Sequence, residues 1–291
     1  MSPPTHLPVL FREVMAALAL KPSGAYIDCT LGGGGHTQGI LDGTAPAGRV
    51  LALDRDRQAT EAARERLQAY SERLVTVNRS FAEIGEVARA QQFTRANGIV
   101  FDLGLSSLQL ADATRGFSFH SNSPLDMRFD SNQALSAADI VNDWSERELA
   151  DMIYQFGEEP HSRAIARAIV RRRPLGTTDE LADAVASVVR RRGKLHPATR
   201  TFQALRIAVN DELGAIERAL PQAVELLQPS GRLVVISFHS LEDRIVKHFL
   251  RAQQLAGALS ILTKKPIIAS ADEQRANPRS HSAKMRVAVR V

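Results

Sequence analysis

The chain has 291 residues, 44% of them apolar, enough to bury a substantial core in one large domain or two modest ones. A single cysteine, Cys29, excludes a disulfide framework and suits a reducing compartment. No apolar run approaches the span of a bilayer and no secretory leader pattern is present, so the expectation is a cytoplasmic protein with no membrane partner.

Lys and Arg exceed Asp and Glu by 37 to 32, and their distribution says more than the total. Residues 120–160 hold two basic and nine acidic residues, whereas 161–206 hold eleven basic and three acidic. Such asymmetry between neighbouring segments hints at a polyanion partner. Two solvated helix faces are the plainer reading of the same distribution.

In chain order, Val9–Leu20 is broken by Arg12 and Glu13 and reads as an amphipathic helix. Apolar, β-branched runs that end in polar or glycine turns then predict strands at Ala25–Leu31, Arg49–Leu53, Leu74–Val77 and Gly98–Phe101, with a helix over Arg57–Tyr70. That alternation predicts a doubly wound α/β sheet. After Asp102 a polar loop runs to about Gln133. Helical periodicity follows at Ala137–Trp144, Glu146–Tyr154, Ser162–Arg172, Asp179–Arg191 and Ala198–Leu213, and strand character returns at Gly231–Phe238. The pattern predicts an α/β domain over 1–106 and 211–291, interrupted by a helical insert over 107–210.

The first strand runs into Gly32-Gly33-Gly34-Gly35-His36. Glycines there let the backbone turn sharply and approach a ligand that a Cβ would repel. The dinucleotide fingerprint G-x-G-x-x-G fails at Thr37 or Gln38, and the Walker pattern fails for want of its lysine. A nucleoside cofactor without a phosphate chain, such as S-adenosylmethionine, suits this loop. The second strand ends in Asp54, twenty residues after Gly34, where a carboxylate can accept from both ribose hydroxyls or cap a helix. The pairing points to a nucleotide or nucleoside ligand without choosing between them.

Further blocks extend over nearly the whole chain. They are His6-Leu7-Pro8-Val9-Leu10, Asp28 to His36, Phe101-Asp102-Leu103-Gly104-Leu105-Ser106-Ser107, Arg115 to Phe119, Pro124 to Arg128, Gly157-Glu158-Glu159 and His196 to Ala204. The most specific is Ser237-Phe238-His239-Ser240-Leu241-Glu242-Asp243-Arg244. On these blocks the chain resembles the RsmH (MraW) family, the bacterial 16S rRNA cytosine-N4 methyltransferases. The resemblance implies a class I, Rossmann-like S-adenosylmethionine-dependent methyltransferase sheet with an inserted all-helical substrate domain. It implies cofactor contacts at Gly34, Gly35, His36, Asp54, Phe81, Asp102 and Gln109. Where the family carries Ser-Ser-Pro-Gln-Leu, this chain has Leu108 before Gln109, which removes a proline's constraint on that backbone.

The implied reaction is in-line methyl transfer to the exocyclic N4 amine of a cytidine in the decoding region of 16S rRNA. The implied partner is 16S rRNA or the assembled small subunit, and a homodimer is compatible with the chain. A methyltransferase of the same fold acting on a protein or small molecule is the alternative, and a non-catalytic nucleoside-binding module a third. Two catalytic residues are expected: Asp102 as acceptor for the amine, with service to the cofactor alone as its alternative, and His239 as the group that collects its proton, with a hydrogen bond that shapes the loop as its alternative. The Asp/Asn-Pro-Pro-Tyr turn of many amino methyltransferases is absent, so Phe117 or Phe119 is expected to stack on the target base. No His/Cys/Asp cluster has metal-ligand spacing, and no metal is expected. Phosphate contacts are expected from Arg171-Arg172-Arg173, from Arg190-Arg191-Arg192 with Lys194, from the face bearing Arg200, Gln203 and Arg206, and from Arg279, His281, Lys284 and Arg286.

Overall fold

The structure is a computed structural model that describes residues 8–119, 122–190 and 196–291, without the side chains of Ser107 and Ala111. His6, Leu7, Arg191, Arg192 and Lys194 of the expectations above lie outside the described residues. The chain forms two compact units: one comprises residues 1–107 and 213–291, the other 108–212.

The first unit is built on seven strands: β1 (Ala25–Asp28), β2 (Arg49–Asp54), β3 (Leu74–Asn78), β4 (Ala96–Asp102), β5 (Leu227–Ser237), β6 (Leu259–Ile261) and β7 (Lys284–Arg290). Their order is β3-β2-β1-β4-β5-β7-β6. The first five strands are parallel, and β7 lies antiparallel between β5 and β6. Parallel strands are covered on both faces, which is why they read as unbroken apolar runs. Ile99, Phe101, Leu233 and Val235 enter one core cluster, while Val100, Val234 and Ile236 enter the other. The alternation along β4 and β5 thus feeds two layers.

Helices join the early strands. Asp56 caps the helix Arg57–Arg66 by accepting from the amides of Gln58 and Ala59. A longer helix, Ser240–Leu255, follows β5 and buries Val246 and Leu250 in the first of the two clusters. Among the described residues no helix is long and apolar enough to cross a membrane.

The second unit contains the helices Ala137–Asp143, Glu146–Gly157, Ser162–Arg172, Thr178–Ala186 and Thr199–Asn210. Three of them begin in capping boxes, Ser136 with Asp139, Ser145 with Glu148 and Thr177 with Glu180, so each start is written into the sequence. The expected helix Asp179–Arg191 is shorter, ending at Ala186. The buried amide of Asn210 pins the preceding loop, accepting from the Phe129 amide and donating to the Met127 carbonyl, each at 2.7 Å.

Candidate active site

The carboxyl ends of β1, β2 and β4 bring the predicted glycines and acids of the first unit to one edge of the sheet. After β1 the chain turns through Gly32 (φ +48°) and Gly34 (φ +75°), left-handed conformations that favour glycine. A Cβ at Gly34 would stand 2.9 Å from Leu67 Cδ1, and one at Gly35 would stand 2.9 Å from the Pro8 ring. At Gly33 the Cβ direction meets nothing within 4 Å, so backbone is presented to an open space.

Asp54, the last residue of β2, ties this turn down. Its Oδ2 accepts from the Gly32 amide at 2.8 Å and its Oδ1 from the Asp56 amide at 2.9 Å. The helix cap is therefore Asp56, which removes the capping alternative for Asp54. Burial raises the Asp54 carboxyl from its usual range to about 6, against the Asp56 and Gly32 amides, which pull it down. Each carboxylate oxygen keeps a further lone pair, so two more donors can be accepted.

Asp102, the last residue of β4, has the same character. Its amide donates to the Thr30 hydroxyl at 2.7 Å, and its Oδ2 lies 3.7 Å from His36 Nδ1. Its Oδ1 is buried with no hydrogen-bond partner among the described residues. Burial raises this carboxyl to about 6; His36 and Arg279 oppose the shift, while Asp28 and Glu242 add to it. The other nitrogen of His36 lies 3.1 Å from the Val9 carbonyl, and its ring stacks parallel to Phe11 at 6.3 Å. The imidazole is thereby fixed from two sides.

Three supporting residues escaped the sequence reading. Asp28, within β1 and 1% exposed, accepts from the Thr37 hydroxyl at 2.7 Å and the Thr30 amide at 3.1 Å. Thr30 in turn accepts from Asp102, so β1, the helix Gly35–Gly43 and β4 are joined through Asp28, Thr30 and Thr37. An ionisable residue inside an otherwise apolar strand was the available signal, because a buried carboxylate needs partners.

Phe81 follows β3 in a short 3-10 turn, Phe81–Glu83. It meets Phe101 edge-on at 5.6 Å and stays half-buried. Gln109 belongs to the second unit, where it is buried in the short helix Ser107–Ala111.

His239 is the N-cap of the helix Ser240–Leu255. Its Nδ1 accepts from the Glu242 amide at 3.4 Å, and its Nε2 lies 3.2 Å from Glu242 Oε1. Glu242 is fully buried, and its Oε2 accepts from the amides of Phe238 and His239. Both ring nitrogens of His239 thus face Glu242, an arrangement that shapes the turn after β5.

Several expected surface contacts are used internally. Phe117 is buried against Phe129, and Phe119 stacks on His196 at 4.6 Å and meets Phe202 edge-on. Phe117 is thereby committed to the interior of the second unit, whereas Phe119 stays half-buried. Arg173 donates to the carbonyls of Val141 and Trp144, which separates it from the exposed Arg171 and Arg172. Arg200 donates to the Glu158 carbonyl, Gln203 to the Phe156 carbonyl, and Arg206 forms a two-pronged pair with Glu212 at 2.7 and 2.9 Å. Arg286 pairs likewise with Asp243 at 2.7 and 3.0 Å, and Arg279 donates to the Leu105 carbonyl. Planar guanidinium forks match carboxylates and carbonyls as well as they match phosphates.

The donors and open backbone fit S-adenosylmethionine: glycines that admit a ligand, an acid with spare acceptor capacity for a ribose, and an unpartnered carboxylate oxygen at the tip of β4. A family model for the MraW methylase family matches residues 4–291. Proteins named Ribosomal RNA small subunit methyltransferase H are similar over nearly the full length. One from Nostoc punctiforme is 52% identical, covering 98% of this chain and 93% of its own. Another from Thermomicrobium roseum is 49% identical over 99% and 94%, and one from Dehalococcoides mccartyi is 47% identical over 98% and 86%. A solved structure of a proposed rRNA-methylase from Clostridium thermocellum has a TM-score of 0.50 at 11% identity, covering 98% of this chain and all of that one, a likeness of fold alone. With the glycine turn, the acids at the ends of β2 and β4 and a match across 4–291, the chain belongs to the MraW methylase family of S-adenosylmethionine-dependent methyltransferases.

Proposed function

We propose that this chain methylates the exocyclic N4 amine of a cytidine in the decoding region of 16S rRNA. The observation that carries the site assignment is the half-buried Asp102 carboxylate at the tip of β4, whose Oδ1 is shielded from solvent with no hydrogen-bond partner among the described residues. An unsatisfied buried acceptor costs about 1–3 kcal/mol, so a position that keeps one is suited to a ligand's donor. The names of the relatives support the rRNA substrate, and the resemblance of the motif blocks supports the N4 position.

A cytosine amine is a poor nucleophile because its lone pair is delocalised into the ring. The protein's task is alignment, which can supply about 7–11 kcal/mol in well-oriented systems. S-adenosylmethionine, when bound, supplies an electrophilic methyl group on a sulfonium. The turn Gly32–Gly35 and His36 form one wall for it, Asp54 accepts its ribose hydroxyls, Phe81 covers its base, and Gln109 is a further contact implied by the resemblance. Asp102 accepts from the target amine and, titrating near 6, can take the proton that the methylated amine sheds. His239 enters as the group that holds the turn after β5, because its ring is engaged with Glu242.

The helical unit, residues 108–212, is the proposed rRNA-binding part. Its exposed Arg171, Arg172 and Arg190 are the cations that remain for phosphates among the described residues of the two expected clusters. The partner is 16S rRNA, bare or within the small subunit, which places the activity in the cytoplasm.

Nucleoside mass spectrometry of small-subunit rRNA tests the reading. A strain lacking the protein should lose one N4-methylated cytidine, regain it with the intact chain and fail to regain it with Asp102→Asn. An unchanged nucleoside profile in the deletion strain overturns the proposed substrate.

A further inference from the structure

Residues 262–283 connect β6 to β7, and two of their side chains reach walls of the candidate site. Glu273 Oε1 accepts from the Leu10 amide at 2.7 Å, next to Val9, whose carbonyl holds His36. Arg279 donates to the carbonyl of Leu105, three residues beyond Asp102. The 3-10 turn that carries Arg279, Pro278–Ser282, is anchored by the fully buried Ser280, whose hydroxyl donates to the Asn277 carbonyl at 2.8 Å. Burial works against the charge of Arg279, and Asp102 is the carboxylate that sustains it.

We propose that Arg279 is a positioning residue of this site, holding the turn after β4 and the Asp102 carboxylate in place as hydrogen-bond acceptors for the ligands. The proposal rests on the reading of Asp102 as the site's acceptor, though not on which base is methylated. Four charged or titratable groups bear on Asp102: His36 from the helix Gly35–Gly43, Arg279 from the β6–β7 connection, Asp28 from β1 and Glu242 from the helix Ser240–Leu255. Two are carboxylates that disfavour its ionised form. Of the other two, only the guanidinium is charged at every working pH. Without Arg279 the Asp102 carboxyl would face two acids with an imidazole alone to offset them, and its ionised, acceptor form would set in only at a higher pH. The hydrogen bond to Leu105 adds a mechanical role, because the turn Leu103–Ser106 leads directly out of the strand that presents Asp102.

The test is a titration of Asp102 in the cofactor-free full-length chain, by NMR of 13C-labelled aspartate carboxyls, with its resonance assigned by its disappearance in Asp102→Asn. Arg279→Gln keeps a donor for the Leu105 carbonyl and removes the charge, whereas Arg279→Lys keeps the charge. The Gln variant should raise the Asp102 midpoint by on the order of one pH unit, and the Lys variant should leave it close to the parent value. Because the resemblance also implies Asp102 as a cofactor contact, calorimetry with S-adenosylhomocysteine at pH 6 should show about a fivefold loss of affinity for Gln, the ratio of ionised fractions for a one-unit rise from 6 to 7. An unmoved midpoint in the Gln variant overturns the proposal. So does an equal shift in both variants, which would mark Arg279 as packing alone. The titration needs neither cofactor nor RNA, so its outcome is independent of whether the methyl-transfer reading holds.

Discussion

The Gly32 amide donates to Asp54 Oδ2 across 2.8 Å, tying the turn after β1 to the acid that ends β2. One carboxylate therefore sets the shape of the glycine turn and also offers spare lone pairs at its rim. Asp54→Ala should weaken S-adenosylmethionine binding at least tenfold, since each hydrogen bond to a charged acceptor contributes about 1.5–3 kcal/mol. Calorimetry reads this directly, and an unchanged affinity would remove Asp54 from the cofactor site.

The pH dependence follows from the same two acids. Asp54 and Asp102 both stand at about 6, raised by burial, so their acceptor forms prevail only above that value. Cofactor affinity, measured by calorimetry across this range, should be full above about pH 7 and fall by up to tenfold per unit per group below 6.

Stability should run the other way. A folded-state pKa above the unfolded value stabilises the protein at low pH and loses that contribution as pH rises through about 6. Asp102→Asn never ionises, so its stability relative to the parent should increase between pH 5 and 7. The increase across this window is about 1.4 kcal/mol, because the one-proton slope ends at the folded midpoint of about 6. Urea unfolding of cofactor-free protein at the two pH values provides the check; a constant difference would contradict the burial of this carboxyl.

Turnover should separate Asp102 from Asp54. If Asp102 holds the target amine, Asp102→Asn lowers kcat by a larger factor than it lowers cofactor affinity, because the hydrogen bond it removes belongs to the transition state. Equal factors in the two measurements would make Asp102 a cofactor ligand only.

The basic cluster at the end of the helix Ser162–Arg172 should split into two behaviours. Arg171→Ala with Arg172→Ala should leave stability unchanged and flatten the slope of log affinity for RNA against log salt by about one for each phosphate no longer neutralised. Arg173→Ala should instead cost about 1–3 kcal/mol in denaturant unfolding, because the carbonyls of Val141 and Trp144 lose their donor. If the double variant keeps the parental salt slope, those arginines are a solvated helix end.

What could be read in advance followed from periodicity and spacing. The runs that became β2 and β4 are apolar because parallel strands are covered on both faces, and Asp54 stands out by its distance from the glycines. The Asp28, Thr30 and Thr37 linkage is less visible, since nothing in a local window says which strand tip will meet Thr30. Adjacent arginines are harder still. Residues 171, 172 and 173 are the same letter three times, yet the helix ends between the second and third, and only the third turns back to the carbonyls. Arg286 did carry a usable signal: Met285, Val287 and Ala288 around it are apolar without alternation, so a strand buried on both faces should have implied a buried, paired arginine.

The position of β7 has a consequence for how the molecule is made. It is the last of the seven strands in chain order, yet it lies inside the sheet with β5 on one side and β6 on the other. On the ribosome, β6 emerges with no neighbour to pair with, and β5 keeps one open edge until Lys284–Arg290 appear. The helical unit, encoded ahead of β5, can fold while the sheet is still incomplete. Assembly of the first unit's sheet thus waits until Lys284–Arg290 have been made, a schedule imposed by strand order rather than by any single interaction.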